Sequence, residues 1–309
     1  MRSALAVPPR PLLGDQRPRL WSVPPSEVTE GHRAADLASL AGLDLDDWQR
    51  WVLAQGLGRS AGKWAAFEVA LIVARQNGKG SVLEALELAA LFLFDDVRLI
   101  LHSAHEFKTA AEAFLRVRSL IDGRPEFERR VSRIRTAAGA EAIELRNGKR
   151  LRFVARSSGS GRGFTADLVI LDEAYKLGDQ EMAALLPTLS ARPDPQVWYT
   201  STAGGPESVQ LGRVRDRGLK GSDPSLAFME WSADDGDDQA DPVVWARANP
   251  GQGIRITEAY IAREMAALGP DAFARERLSI GDYPSGDAGS WDVIAEDAWG
   301  TAASPGARM

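Results

Sequence analysis

Four apolar runs constrain what this chain can fold into. "FEVALIVA" from Phe67, "VRLILHSA" from Val97, "ADLVILDEA" from Ala166 and "QVWYTSTAGG" from Gln196 are apolar over consecutive positions, not at alternate ones. A strand with one wet face alternates apolar and polar side chains. A continuous run belongs in a sheet covered on both faces. Between the runs lie segments of crossover length with helical character, "SVLEALELAALFLF" and "EFKTAAEAFLRVRSLI". The second sets Phe107, Ala111, Phe114 and Leu115 along one side. Alternating strand and helix predicts an α/β fold: a mainly parallel sheet, helices on both faces, and ligands at the carboxyl ends of the strands.

The remaining segments sort around that core. Residues 1–40 are proline-rich with little periodicity and read as an irregular arm. "LDLDDWQRWVLAQGLG" reads as a helix opened by Asp44, Asp46 and Asp47 and closed by Gly56 or Gly58, with Trp48, Val52 and Leu53 facing inward. Asn147-Gly148, between alternating segments, predicts a hairpin turn. After Trp231 comes the carboxylate loop "SADDGDDQADP", then the helical "PVVWARANP", "TEAYIAREMAAL" and "DAFARERLSI". The expected division is an arm at 1–40, a core at 41–232, a small helical lid at 233–284 and a linker at 285–309.

Composition narrows the chemistry. Cysteine is absent, which removes disulfides and thiolate metal sites. Of the histidines, only His102 and His105 are close in sequence, and a third zinc ligand is not in view. No run approaches the roughly 18 apolar residues of a membrane span, and the start is too proline-broken for a signal peptide. Net charge is −6, unevenly spread. Residues 98–163 carry fifteen Lys/Arg against seven Asp/Glu, and residues 232–309 carry six against fourteen. One basic face and an acidic far end fit that asymmetry; solvated charged helix faces fit it too.

Two motifs sit at strand ends. "VALIVARQNGKGS", Val69 to Ser81, runs from an apolar strand into Gly78-Lys79 and a helix. A phosphate loop needs backbone N–H groups and a helix N-terminus converging on the anion, with a lysine reaching the outer phosphates. Against GxxxxGK[ST], the first glycine falls on Val73 and the hydroxyl position on Gly80. That hydroxyl ordinarily helps hold Mg²⁺, and Ser81 is one residue late, about 100° further round the helix. "LVILDE" ends a buried strand in two carboxylates. Asp172 is expected to hold Mg²⁺ through waters, and Glu173 to polarise a water for attack on a γ-phosphate. The two motifs in this order point to nucleotide hydrolysis.

These residues resemble the large terminase subunits of tailed bacteriophages, the ATPases that pump DNA into empty capsids. The resemblance runs from about Trp48 to Trp291. "ARQNGK" resembles the family's deviant phosphate loop, and "SGSGRGFTADLVILDEAY" the segment entering its second motif. "YTSTAGG" resembles its coupling motif, and "VWARANP" with "FARERLS" its lid. The resemblance implies an ASCE-type, RecA-like P-loop NTPase with a small helical lid. It implies that Gln49 reads the adenine edge, and that Arg75, Gln76, Asn77, Gly78, Lys79, Gly80 and Ser81 surround ATP phosphates and Mg²⁺. Thr200, Ser201 and Thr202 would sense the γ-phosphate. Arg162 would be an arginine finger reaching a neighbour's site, which implies a homo-oligomeric ring.

The implied partners are double-stranded DNA, a portal protein and a small terminase subunit, in the host cytoplasm and without a membrane. DNA would be gripped through phosphates by the basic region, including Arg129, Arg130, Arg133, Arg135, Lys149 and Arg150. The family's nuclease domain would begin near "SWDVIAEDAW", where only Asp292, Glu296 and Asp297 remain, so cleavage is not expected of this chain. A helicase-like nucleic-acid-dependent ATPase, or a degenerate nucleotide-binding scaffold suggested by Gly80, stay open on sequence alone.

Overall fold

The computed structural model describes residues 12–156 and 165–284. Arg162 and residues 1–11 and 285–309 lie outside them, and with them the expected finger and the expected linker.

The chain enters along β1 (Leu20–Ser22) and β2 (Val28–Thr29), then helices α1 (Gly31–Leu40) and α2 (Asp47–Gly56). Two short strands, β3 (Gly58–Ser60) and β4 (Lys63–Trp64), pair with β2 in a small separate sheet. The core begins with β5 (Glu68–Ile72) and α3 (Lys79–Phe92), followed by β6 (Leu99–Ala104) and α4 (Phe107–Asp122). After the short α5 (Pro125–Glu128) come β7 (Val131–Arg135), β8 (Ala142–Leu145) and β9 (Arg150–Ala155). The last two form the antiparallel hairpin expected around Asn147-Gly148. Then follow β10 (Leu168–Asp172), α6 (Asp179–Leu189), β11 (Gln196–Ser201), α7 (Val209–Lys220) and β12 (Leu226–Glu230). Helices α8 (Pro242–Ala248), α9 (Glu258–Ala267) and α10 (Pro270–Leu278) complete the described chain.

The large sheet has the order β1-β12-β5-β11-β10-β6-β9-β8-β7. Its six central strands, β12 to β9, run parallel, and the outer strands are antiparallel. The apolar runs behave as their composition demands, since successive side chains point to opposite faces. In β5, Val69 and Leu71 pack with α1 to α4, while Ala70 and Ile72 pack with α6 and α7. Strand β10 divides Leu168 and Ile170 from Val169 and Leu171 in the same way. The one charge in "FEVALIVA" is satisfied: Glu68 accepts from the Tyr199 hydroxyl at 2.7 Å and pairs with Arg217 at 2.7 Å. A third cluster around Trp245, Ile261 and Phe273 holds α8 to α10 together.

Several expectations are corrected. The 1–40 region is not irregular throughout, because β1 joins the large sheet and α1 packs on α2 and α3. The buried face of α1 is Gly31, Ala34, Ala35, Leu37 and Ala38, mostly small residues that give a weak apolar rhythm yet allow close helix approach. On α4, Phe107 and Leu115 are exposed, and the inward face is Ala110, Ala113, Phe114, Val117 and Ile121. His102 is buried against Glu87, Nδ1 to Oε1 2.6 Å, and no cluster of three metal-ligating side chains exists among the described residues. The carboxylate loop is tied by ion pairs from Asp234 to Arg19 and from Asp237 to Arg247.

Candidate active site

One strand, β11, separates β5 from β10, so the loop after β5 and the acids ending β10 face a common cleft. That cleft, about 330 Å³, is lined by Arg75, Gln76, Gly78, Lys79, Gly80, Asp172, Glu173 and Thr202, among others.

The loop is built to offer amides. Gln76 and Gly78 both take positive φ, 62° and 101°, around Asn77. The N–H groups of Gln76, Asn77 and Gly78 find no acceptor among the described residues. They precede the N-terminus of α3, where the Lys79 and Gly80 amides also find no acceptor among the described residues while that of Ser81 donates to the Gly78 carbonyl (3.2 Å), so the whole forms a concavity of the kind that binds anions. Lys79 donates to the carbonyls of Val73 (2.8 Å) and Ala74 (3.3 Å). Burial pushes its ammonium down to about 8, partly offset by Asp172.

Opposite, Asp172 Oδ1 accepts from the Thr200 hydroxyl at 2.8 Å and from the Glu173 amide at 2.9 Å. Glu173 has φ 53°, ψ 47°, a left-handed conformation that costs a non-glycine residue about 1–2 kcal/mol. Arg156 accounts for its persistence: its guanidinium donates to the carbonyls of Ser103 (3.1 Å), Asp172 and Glu173 (3.5 Å). Glu173 Oε1 accepts from Thr109 at 3.3 Å, and Oε2 is buried with no partner among the described residues. A carboxylate oxygen in that state has the chemistry to accept a proton. The hard oxygens here also fit Mg²⁺, which keeps most of its waters and needs few carboxylates.

Other expected site residues do different work. Gln49 is fully buried and outside the cleft. Its Oε1 accepts from the Asp46 amide (2.7 Å), capping α2, and its Nε2 donates to the Gly78 carbonyl (2.8 Å). In this structure both ends of Gln49 are engaged in anchoring the loop to α2, as the Asp46-x-x-Gln49 spacing of a capping box could have signalled. Asn77 is also fully buried and turned from the cleft. It donates to Asn249 Oδ1 (3.0 Å) and accepts from the Gly251 amide (2.9 Å), knotting the loop to the lid. Ser81 is half-buried and does not line the cleft. Lys149 is buried, donating to the carbonyls of Ala90 and Phe94, and so is unavailable to DNA.

Sequence reasoning misses the lid side of the loop. Arg255 donates to the Asn77 carbonyl (2.9 Å) and pairs with Asp46 (2.7 Å). Glu276 on α10 pairs with Arg75 (2.6 Å). The strand-end segment after β11 touches the same subdomain's tail, since the Gly204 carbonyl accepts from Asp282 (3.2 Å).

Among solved structures, the HK97 bacteriophage large terminase superposes with a TM-score of 0.71 at 22% identity, covering 82% of this chain and 55% of that one. The chain folds as a phage large terminase ATPase domain. The terminase ATPase domain of Thermus phage P74-26 matches at 0.53 and 17%, covering 83% of this chain and 98% of that one. The large terminase of a thermophilic bacteriophage, solved in complex with ADP, matches at 0.51 and 10%, covering 70% and 48%. This chain thus spans about half the length of the HK97 terminase and of the thermophilic-phage terminase. No family model and no curated protein matches the sequence.

Proposed function

We propose that this chain is the ATP-hydrolysing motor domain that drives double-stranded viral DNA into procapsids. The observation that carries the reading is the single cleft uniting Lys79 and the loop amides with Asp172 and the unpartnered oxygen of Glu173. The fold shared with large terminases supports it, as does the thermophilic-phage terminase solved with ADP and with ATP-γ-S.

In this reading the β- and γ-phosphates of ATP take the N–H groups of residues 76–80 and the Lys79 ammonium. Glu173 accepts a proton from a water as that water attacks the γ-phosphorus in line. The bond to the bridging oxygen breaks, leaving ADP and phosphate. Asp172 would hold Mg²⁺, which when bound offsets charge on the phosphate oxygens. Thr200, bonded to Asp172, and Thr202, lining the cleft, sense the outer phosphate in this reading. The Gly204 to Asp282 contact offers a path from there to the lid.

Arg162 acts in a neighbouring subunit's site, within a ring on the portal protein to which a small terminase subunit delivers DNA. Arg129, Arg133 and Arg150, all exposed, supply phosphate contacts. The setting is the host cytoplasm; among the described residues no helix is long and apolar enough to cross a membrane.

The test is ATP hydrolysis by the purified chain over a concentration series with Mg²⁺. Specific activity rises as rings assemble and rises further with portal-bearing procapsids. No hydrolysis at any concentration, with or without procapsids, overturns the reading.

Lys79 adds a pH signature. A phosphate beside Nζ favours the charged form, so nucleotide binding raises a pKa that stands at about 8 in the free site. Binding therefore takes up a proton near and above that pH, and affinity falls as pH rises through it. Calorimetry in buffers of different ionisation enthalpy reads the uptake, and Lys79→Arg abolishes it. Affinity that stays flat through this range contradicts the placement of Lys79.

A further inference from the structure

We propose that Arg116 is a further catalytic residue, a cation that α4 supplies in cis to the outer phosphate where the loop has Gly80 and no hydroxyl. The proposal rests on the ATPase reading above.

Helix α4 flanks the cleft. Thr109, in its first turn, touches Glu173 at 3.3 Å. Arg116 lies seven residues on, two turns along the same face, and lines the cleft with Lys79, Gly80 and Asp172. Its Nη2 is 3.5 Å from where a Cβ on Gly80 would stand. The absence of a side chain at position 80 thus leaves the first turn of α3 open to a guanidinium.

The guanidinium is held from behind. Its Nε pairs with Glu84 Oε1 at 2.6 Å, and Glu84 lies one turn after Gly80 on α3. Among the described residues Glu84 is its only hydrogen-bond partner, so the Nη1 and Nη2 donors are unused. The Arg116 side chain is 47% exposed and that of Glu84 9%, so the pair sits at the cleft wall with its anion inside and its cation outside. An arginine fixed at Nε keeps the two-pronged end that matches phosphate oxygens. Arg75, another arginine lining the cleft, is already paired with Glu276 of the lid. Charge developing on the γ-phosphoryl oxygens is then met by Lys79 from the loop side and Arg116 from the α4 side.

The experiment measures steady-state ATP hydrolysis by wild-type chain, Arg116→Ala and Arg116→Lys, and by an equimolar mixture of Arg116→Ala with Lys79→Ala. Arg116→Ala is expected to lower kcat by about 10²-fold or more, the cost of one lost transition-state donor, with a smaller change in KM. Arg116→Lys keeps the ion pair with Glu84 but not the fork, so it folds even if the alanine variant does not, and it too is slow. The mixture stays inactive, because each defect belongs to its own subunit's site. Wild-type turnover by Arg116→Lys or Arg116→Ala overturns the proposal. So does recovery of activity in the mixture, which would make the arginine a donor to the neighbouring subunit. If the wild-type chain itself shows no hydrolysis, the ATPase reading falls and takes this proposal with it; wild-type activity matched by either variant removes this proposal alone.

Discussion

Replacing Glu173 with glutamine is expected to leave ATP bound and slow its hydrolysis by about 10²–10⁴-fold, the range for a lost general base. The substitution keeps the side chain's size and its contact with Thr109, so the cleft keeps its shape. What disappears is the basicity of Oε2, the buried oxygen with no partner among the described residues. A carboxylate needed only for structure would not be left unpaired in a backbone conformation that costs free energy. Here three carbonyls, those of Ser103, Asp172 and Glu173, converge on Arg156 to hold it so. Nucleotide titration and phosphate release measured on the same preparation separate binding from turnover. Wild-type hydrolysis by Glu173→Gln would take the base away from this residue.

Gly78→Val is expected to abolish nucleotide binding, for two reasons that act together. At φ 101° an L side chain meets its own backbone, at about 1–2 kcal/mol or more. A Cβ there would also lie 1.9 Å from Arg255 Nη1 and 2.7 Å from Gln49 Nε2. Arg255 can swing away only by giving up its bond to the Asn77 carbonyl and its ion pair with Asp46. The loop then loses its lid-side and α2-side anchors at once. Distorting the amide nest by even 1.4 kcal/mol costs tenfold in affinity, and both anchors together carry more. Gly80→Ala is the control for stability. Gly80 lies in the first turn of α3, where an added Cβ makes ordinary contacts of 3.4 and 3.5 Å, so its melting temperature is expected to hold or rise. A Gly78→Val chain that binds ATP like wild type would mean that the loop does not cradle phosphate.

The parts legible in sequence are those written in local pattern. Continuous apolar runs announce central strands because each face of β5, β10 and β11 meets its own helix layer. Asn147-Gly148 announces a hairpin through turn chemistry alone. The loop and the acid pair are legible because each is contiguous and sits at a strand end. What stays hidden is written in distance. Asn77 looks like any loop asparagine until Asn249, 172 residues away, supplies its partner. Gln49 shows a polar helix position but not that Gly78 uses its second end. Lys149 counts as surface charge in the sequence, although Ala90 and Phe94 draw its ammonium inward. Helix α1 escapes notice because alanines bury it, and alanine carries little hydrophobic signal.

The account's central claim is that one triphosphate bridges the loop at the start of α3 and the acids at the end of β10. The most direct measurement is a crystal structure of the Glu173→Gln chain with ATP and Mg²⁺. The account predicts outer phosphates on the amides of residues 76–80, with Lys79 turned from the carbonyls of Val73 and Ala74 onto a phosphate oxygen. Nucleotide bound elsewhere, or a Lys79 that keeps its present partners beside a bound triphosphate, would contradict it.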